Sequence, residues 1–276
     1  MKLAIISSFD ETIPFDRAIP MIREAGFEVV SLGPNPGYSG LMAAPGRAAL
    51  RKLLGQNGLA LDSIHAPWSG DGPLLFSLED NRRREGMRQC ELAMDAASDL
   101  ECKILVIHLL YGTLPHGQPP GPVRDKMIEQ GRRSVSALAA YGAVRGVKLA
   151  LENGEDPYYD MALEDFMAEF DDANIGFCYD SGHENLHGKC FRLLEKFGRR
   201  LFTVHIHDNT RTDAHTLPFE GAIDWDGFRK VFHSLGYCGN LHLEADIRNS
   251  QFRDPAVFLA QAWARGMRLL EHEKSA

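Results

Sequence analysis

The sequence predicts an α/β protein, a single-domain (β/α)8 TIM barrel that spans residues 1–276. Three observations predict it: eight short β-branched runs alternate with amphipathic stretches, polar residues end six consecutive runs, and no dinucleotide-binding or Walker motif follows any run. The length of 276 residues is close to the roughly 250 typical of one such barrel. No linker or low-complexity tract marks a domain boundary. A doubly wound open sheet is the alternative.

The strands are predicted where β-branched and aromatic residues cluster between turn signals. They are Lys2–Ser7, Phe27–Leu32, Leu61–Ala66, Lys103–Leu109, Val147–Glu152, Asn174–Asp180, Leu201–His207 and Gly239–Glu244. Helical periodicity, with apolar residues at three- and four-residue intervals, is clearest at Asn81–Leu100, Arg124–Tyr141, Trp225–Leu235 and Pro255–Leu270. Glycines of the kind that end helices or turn the chain precede four strands, at Gly26, Gly58, Gly146 and Gly236.

The composition is that of a globular protein. Apolar residues make up 44% and charged residues 25%, which excludes collagen-like, coiled-coil and disordered classes. The net charge of −8 disfavours a nucleic-acid partner. No run reaches the ~18 apolar residues of a membrane span, and no signal peptide is evident, so we expect a soluble, cytoplasmic protein. Five scattered cysteines contain no Cys-x-x-Cys pair and suggest neither disulfides nor a thiolate zinc site.

Chemistry-bearing side chains accumulate at the carboxyl ends of strands three to eight. Side chains alternate along a barrel strand, so the apolar neighbours of these residues face outward and the polar residues point inward at the upper rim. Barrel active sites are built at this rim. The residues are His65, His108, Glu152, Asp180 with His183 just beyond, His205 with His207, and Glu244.

Four of these residues predict a metal site. Burying several carboxylates near one axis costs several kcal/mol per ion unless cations compensate them. Glu152, Asp180 and Glu244 with His205 form an oxygen and nitrogen ligand set that suits Mn, Co, Mg, Zn or Fe(II). For each of these residues, the alternative to metal binding is a purely structural role of the side chain at the strand end.

Further residues add potential ligands, so the sequence predicts between one and three divalent metal ions per chain. His65 and His108 can share Glu152 with a second ion, because a carboxylate has two oxygens. His183, with Asp213 and His215 in the loop after strand seven, can hold a third. Alternatively, these outer residues contact substrate.

Substrate contacts are predicted from the same rim and its loops. His207 lies on the same strand face as His205, one step further out, where support of a ligand or contact with substrate is expected. Arg211 is a candidate to clamp a sugar hydroxyl or phosphate. Trp68, like Phe9 and Tyr111, carries a ring that either stacks on a sugar or packs in the protein.

An ordered series of motifs runs through nearly the whole chain: LENG, YDSGH, HIHDN, HTLPFEGAIDW and LEAD. This series resembles the xylose-isomerase-like TIM-barrel superfamily. That superfamily includes sugar phosphate isomerases and epimerases, inosose-type dehydratases and apurinic endonucleases of the endonuclease IV type, AP endonuclease family 2. The branches reuse one metal frame, so the resemblance is specific for the superfamily rather than for a reaction.

The resemblance to the epimerase branch implies one metal ion held by Glu152, Asp180, His205 and Glu244. It also implies that Glu152 and Glu244 are the catalytic acid and base, which move a proton next to a carbonyl through an enediolate. That branch has a His three residues after the Asp and an Arg six residues after the ligand His. Here these positions hold His183 and Arg211.

The resemblance to the endonuclease IV branch implies three zinc sites instead. Its ligand pattern is matched in order by His65, His108 and Glu152, then by Glu152, Asp180, His205 and Glu244, then by His183, Asp213 and His215. Against cleavage of DNA stand the negative net charge and the lack of basic, aromatic insertion loops that bend a duplex. The segment HTLPFEGAIDW also looks more like the loop of sugar-isomerase homologues.

We therefore predict a divalent-metal-dependent isomerase or epimerase of a small sugar, polyol or sugar phosphate. The alternative is a multinuclear-metal phosphodiesterase or other hydrolase of the endonuclease IV type. A third hypothesis is a barrel that binds a sugar beside a structural metal, without catalysis. Because related barrels often pair, a homo-oligomer is a further expectation.

Overall fold

Eight parallel strands and ten helices alternate in the computed structural model, which describes residues 1–67, 74–109 and 119–271. The strands are β1 Leu3–Ile6, β2 Val29–Leu32, β3 Ala60–His65, β4 Ile104–Ile107, β5 Lys148–Glu152, β6 Ile175–Asp180, β7 Leu201–His205 and β8 Leu241–Leu243. The helices are α1 Phe15–Glu24, α2 Pro36–Ser39, α3 Ala44–Asn57, α4 Asp80–Asp99, α5 Pro122–Arg145, α6 Pro157–Glu169, α7 Ser181–Leu186, α8 Arg192–Phe197, α9 Trp225–Ser234 and α10 Pro255–Leu270.

The sheet closes into a barrel. Its strand order is β7-β6-β5-β4-β3-β2-β1-β8, with every pair parallel. The remaining gap, between β7 and β8, is bridged where the Ile206 amide donates to the carbonyl of His242 at 2.9 Å. The Glu244 amide in turn donates to the carbonyl of Ile206 at 3.0 Å. This closure confirms the predicted (β/α)8 barrel and excludes the doubly wound sheet.

All eight predicted strands are present, but most are shorter than predicted. The last strand shows the difference, because only Leu241–Leu243 pairs with its neighbours and the flanking residues lie outside the ladder. The helix predicted at Pro255–Leu270 has those bounds in the structure, whereas α5 extends further at both ends than the predicted helix. Gly58 and Gly146 end α3 and α5 in the left-handed conformation, at φ 62° and 67°.

The main hydrophobic core lies between the barrel and its helices. The strand residues that were predicted to face outward all belong to it, namely Ile64, Ile107, Leu151, Tyr179, Val204, Ile206 and Leu243. Inside the barrel a small separate layer of Val106, Ala150 and Cys178 fills the lumen beneath the rim. Among the described helices, none combines the length and the apolar character needed to cross a lipid bilayer.

Polar groups inside the lumen pair with one another. The carboxylate of Asp62 accepts hydrogen bonds from the side chains of Thr203, at 2.7 Å, and Asn240, at 2.8 Å. The His242 ring lies between the hydroxyl of Ser31, at 2.5 Å, and the carbonyl of Val204. Buried polar groups paired in this way tie β2, β3, β7 and β8 together below the rim.

Candidate active site

The strand ends bring the predicted residues to one place at the carboxyl rim. His65, Glu152, Asp180 and His205 are the last residues of β3, β5, β6 and β7. His108 and Glu244 come directly after β4 and β8. All six are buried. The period of two along each strand therefore places polar side chains from six strands around one axis, as the sequence predicted.

Four of these side chains form what we call the central cluster, Glu152, Asp180, His205 and Glu244. Each offers a ligand atom, and the four atoms lie within 4.8 Å of one another. The Nδ1 atom of His205 lies 2.7 Å from Oε1 of Glu152 and 3.0 Å from Oε2 of Glu244. The two glutamates therefore converge on the same imidazole nitrogen from the ends of two strands that are not neighbours.

A second group, the β3–β4 cluster, consists of His65, His108 and Glu152. Oε2 of Glu152 lies 3.5 Å from Nε2 of His65 and 3.2 Å from Nε2 of His108. Glu152 thus directs Oε1 to the central cluster and Oε2 to the β3–β4 cluster. That Glu152 bridges two metal ions stays a prediction.

A third group, the β7-loop cluster, consists of His183, His207, Asp213 and His215. Oδ1 of Asp213 lies 3.2 Å from Nε2 of His215 and 3.8 Å from Nε2 of His183. The structure thus brings together the three residues predicted for a third ion and adds His207, which the sequence analysis assigned to ligand support or substrate contact.

His207 is packed and hydrogen-bonded from several directions. Its Nε2 atom lies 3.0 and 3.1 Å from the two carboxylate oxygens of Asp180. Its ring stacks on that of His215, with centroids 3.8 Å apart and planes within 7°. Gly182 approaches so closely that a Cβ there would lie 1.9 Å from Cε1 of His207. These contacts place His207 behind the carboxylate of Asp180. His207 orients this carboxylate in the way that an outer hydrogen-bond partner orients a metal ligand.

The electrostatics of the central cluster favour ionised carboxylates. Burial raises the pKa of Glu152, but His205 and His108 outweigh it and hold this pKa well below its ordinary value. Burial also raises the pKa of Glu244, but the charge and hydrogen bond of His205, together with the charge of His215, hold this pKa below its ordinary value. Burial lowers the pKa of His205, but Cys178 and the carboxylates raise it well above its ordinary value. His205 thus carries the positive charge that a cation would otherwise supply.

The flanking histidines have opposite tendencies. Burial lowers the pKa of His108 to about 3. Burial also lowers the pKa values of His183 and His215. For His183, the carboxylates of Asp180, Glu152 and Asp213 together outweigh burial and raise its pKa to about 9. Asp213 does the same for His215, whose pKa rises to about 10. The β7-loop cluster therefore holds positive charge on imidazoles, whereas burial favours the neutral imidazole of His108.

The donor sets fit divalent metal ions. Oxygen and nitrogen ligands about 2.0–2.2 Å from one ion lie about 3–4 Å from each other, close to the separations found here. Buried carboxylates converge in the central cluster, and among the described residues no well-aligned hydrogen bond reaches Oε2 of Glu152. Cys178 also lies near Glu152 and His205, but the other donors are carboxylate oxygens and imidazole nitrogens, which favour hard and borderline cations.

Asn153 is a supporting residue that the sequence analysis quoted in a motif without giving it a role. Its side chain donates to the carbonyl of Asp180 at 2.9 Å and accepts from the amide of Asp180 at 2.7 Å. Its own carbonyl lies 2.9 Å from Nδ1 of His183. A polar residue directly after a strand that ends in a ligand is the signal that could have revealed it.

Asp208 organises the loop that carries the β7-loop cluster, a role that the sequence analysis also missed. Its buried carboxylate accepts hydrogen bonds from the amides of Phe219, at 3.0 Å, and Ile223, at 3.1 Å. It also accepts from the indole of Trp225 at 2.8 Å. Its backbone pairs in both directions with Thr216. One carboxylate therefore holds the two ends of a long loop together.

The remaining predicted contacts have different outcomes. Arg211 adopts φ 72°, and its guanidinium lies close to Gly188, next to α7. Its role in binding substrate stays a prediction. Phe9 is fully buried and stacks on Phe258 with centroids 5.8 Å apart, so its ring packs in the core. Trp68 and Tyr111 lie outside the described residues.

A family model for the xylose isomerase-like TIM barrel matches residues 19–272. The chain belongs to the xylose isomerase-like TIM barrel family. Two curated relatives are uncharacterized proteins. The first, y4fM of Sinorhizobium fredii, is 28% identical over 295 aligned positions, which cover 97% of this chain and 92% of the relative. The second, MJ1311 of Methanocaldococcus jannaschii, is 25% identical over 200 positions, which cover 69% and 65%.

Solved structures of this family have the same architecture. A D-tagatose 3-epimerase-like protein superposes with a TM-score of 0.79 at 20% identity, over 98% of both chains. The 3-keto-D-glucoside 4-epimerase YcjR of E. coli gives 0.77 at 18% identity, over 97% of this chain and 99% of the other. A D-psicose 3-epimerase gives 0.76 at 16% identity, over 98% and 99%. At these identities the likeness establishes the fold.

Proposed function

We propose that this protein is a divalent-metal-dependent isomerase or epimerase of a small sugar, polyol or sugar phosphate. The observation that carries the proposal is the central cluster, where Glu152 and Glu244 converge on His205 at 2.7 and 3.0 Å. Solved structures similar to this chain are named as sugar epimerases, which supports the same class of reaction.

The metal would be held by the four residues of the central cluster. When bound, it would supply Lewis-acid stabilisation for the negative charge that develops on an enediolate. Glu152 ends β5 and Glu244 directly follows β8, two strands that are separated by β6 and β7, so the two carboxylates would approach a substrate from different directions. One carboxylate takes the proton from carbon and the other returns a proton. The carboxylate that takes the proton acts in the ionised form that its low pKa favours, whereas the one that returns a proton must first have been protonated from solvent.

Neighbouring residues position the side chains that would take part in this proton exchange. Asn153 fixes Asp180 from the backbone side, and His207 fixes its carboxylate. Because the rim is built from strand ends rather than from free loops, the positions of the carboxylates are set by the barrel. Buried surroundings exclude water and strengthen the interaction of each carboxylate with the developing charge.

Solvent-deuterium exchange tests this function. We expect the Mn²⁺-loaded protein to incorporate deuterium from D₂O next to the carbonyl of at least one member of a ketose panel. Glu152→Gln and Glu244→Gln should each reduce exchange by at least about 100-fold, the lower range for loss of a general acid or base. The matched control is Glu195→Gln on exposed helix α8. Unchanged exchange in both active-site variants would refute the proposal.

A second candidate function, a multinuclear hydrolase, is favoured by one specific observation. The β3–β4 and β7-loop clusters each gather three or more potential ligands beside the central cluster. Ions held by these clusters would supply activation of water and stabilisation of the leaving oxygen of a phosphodiester. This function requires that substitution of His65 or Asp213 abolish both metal loading and cleavage.

Elemental analysis separates the two candidates. Protein purified without chelator or affinity metal should contain about one Mn, Co or Mg per chain if the epimerase frame is correct. Two or three Zn, Fe or Mn per chain would favour the hydrolase, and phosphodiester substrates would then be tested first. Metal content is measured independently of any choice of substrate.

A further inference from the structure

A cavity of about 290 Å³ opens beside the central cluster, between the loops that follow β1, β2 and β8. It shares Glu244 and His215 with the clusters already described. Its other polar and charged lining residues are Ser8, Glu11, Thr12, Asp246 and Arg248. The volume is near the lower limit of the roughly 300–1,000 Å³ found for small-molecule sites, which suits one small ligand.

The position of the cavity makes it an extension of the reaction site. Because Glu244 lines the cavity, a substrate whose reacting carbon lies next to Glu244 can extend into it. The part of the substrate remote from the reacting carbon would then lie against Ser8, Glu11 and Thr12. Such remote contacts set which substrate is accepted.

The single guanidinium of the cavity is already neutralised. Nε of Arg248 lies 2.9 Å from Oδ2 of Asp246, and Nη2 lies 2.5 Å from the same oxygen. Asp246, followed by Glu11 and Asp10, raises the pKa of Arg248 above its ordinary value. A guanidinium surrounded by carboxylates offers little free charge to an incoming anion.

The positive charge of His215, which also lines the cavity, is balanced by the carboxylate of Asp213 at 3.2 Å. Glu11 therefore leaves an excess of negative charge at the cavity. Its carboxylate accepts a hydrogen bond from the side-chain amide of Asn35 at 2.9 Å, which is a neutral partner. Among the described residues no Lys or Arg nitrogen lies within 4 Å of it. Thr12, beside it, donates its hydroxyl to Asp10 at 2.6 Å. The cavity thus presents carboxylate and hydroxyl oxygens, which accept hydrogen bonds from hydroxyl groups and repel a phosphoryl group.

We propose that this cavity is the subsite for the remote end of the substrate, and that Glu11 and Asp246 select uncharged polyhydroxy compounds over phosphorylated ones. The inference rests on the proposed function and narrows its substrate class. Glu11 receives the hydroxyl groups of the substrate, whereas Asp246 keeps Arg248 from attracting a phosphoryl group.

Binding of a matched pair of probes tests the proposal. Dissociation constants of D-fructose and D-fructose 6-phosphate are measured by saturation-transfer NMR on the Mg²⁺-loaded, full-length chain. We expect the uncharged ketose to bind about tenfold more tightly, the ratio produced by about 1.4 kcal/mol of repulsion. Glu11→Gln should bring the ratio close to one. Arg248→Gln should increase it, because this variant exposes the charge of Asp246.

A control and the opposing outcomes complete the test. Glu24→Gln removes the same charge at the end of α1, on the opposite side of the barrel, and should leave the ratio unchanged. Equal or tighter binding of the phosphorylated ketose, a ratio that Glu11→Gln does not change, or failure of both probes to bind would each overturn the inference. Selective binding of D-fructose without deuterium exchange in the ketose panel would refute the epimerase function and leave the subsite intact.

Discussion

Replacement of Gly182 by alanine tests the contact between α7 and the ring behind Asp180. The added Cβ would lie 1.9 Å from Cε1 of His207 and 2.4 Å from its Nδ1. To reach ordinary contact at 3.4 Å, the ring must retreat by about 1.5 Å. The ring is held by its stack on His215 and by its bonds to Asp180, so a retreat of this size breaks at least one of them.

Two effects of Gly182→Ala follow, and each has a magnitude. Forced overpacking in a buried site costs about 1–3 kcal/mol of unfolding free energy. Loss of an outer partner that orients a metal ligand weakens metal binding by about 10–100-fold. The first effect concerns the whole fold, while the second depends on Asp180 being a ligand. Measuring both separates strain from a function of His207.

Urea denaturation of the metal-free protein and calorimetric titration with Mn²⁺ measure the two effects. Gly55→Ala is the control, because Gly55 lies inside α3 and a Cβ there meets nothing within 4 Å. That variant should gain about 0.5–1 kcal/mol and bind Mn²⁺ normally. If Gly182→Ala matched the control in both measurements, the contact of His207 with Asp180 would contribute neither to the unfolding free energy nor to Mn²⁺ affinity, and our interpretation would be wrong.

Three further predictions concern other parts of the molecule. Asp208→Ala should lower the unfolding free energy by at least about 3 kcal/mol, because the Trp225 indole and two backbone amides lose their acceptor; chemical denaturation measures this. Iodoacetamide should label exposed Cys238 in the native protein but not Cys90 or Cys102, whose pKa values burial raises to about 12. Peptide mass spectrometry measures the labelling, with denatured protein as the control. Labelling of Cys90 or Cys102 in the native protein would contradict this prediction. Mn²⁺ at 100 times its dissociation constant should stabilise the protein by about 2.7 kcal/mol, so a melting temperature indifferent to EDTA would contradict a bound metal.

The sequence predicted the barrel and the residues at its rim because both depend on local regularity. Alternation with a period of two determines which face of a strand a side chain occupies, and parallel strands place their carboxyl ends on one side. The positions of His65, Glu152 and His205 therefore required no knowledge of distant contacts. The ends of the strands were less predictable, since an apolar run does not show where hydrogen bonding stops.

The supporting contacts were not predictable in the same way. The loop after β7 places Arg211, His215 and Phe219 in the left-handed region, which non-glycine residues rarely adopt and which local propensity therefore does not predict. Asp208 stabilises that loop through partners up to 17 residues away. The stack of His207 on His215 likewise depends on how the loop folds back over the rim.

The two oxygens of Glu152 have an evolutionary consequence. Oε1 faces His205, whereas Oε2 faces His65 and His108. Substitution of the two histidines, which lie at the ends of neighbouring strands, would change the surroundings of Oε2 in a descendant protein while Oε1 kept its contact with His205.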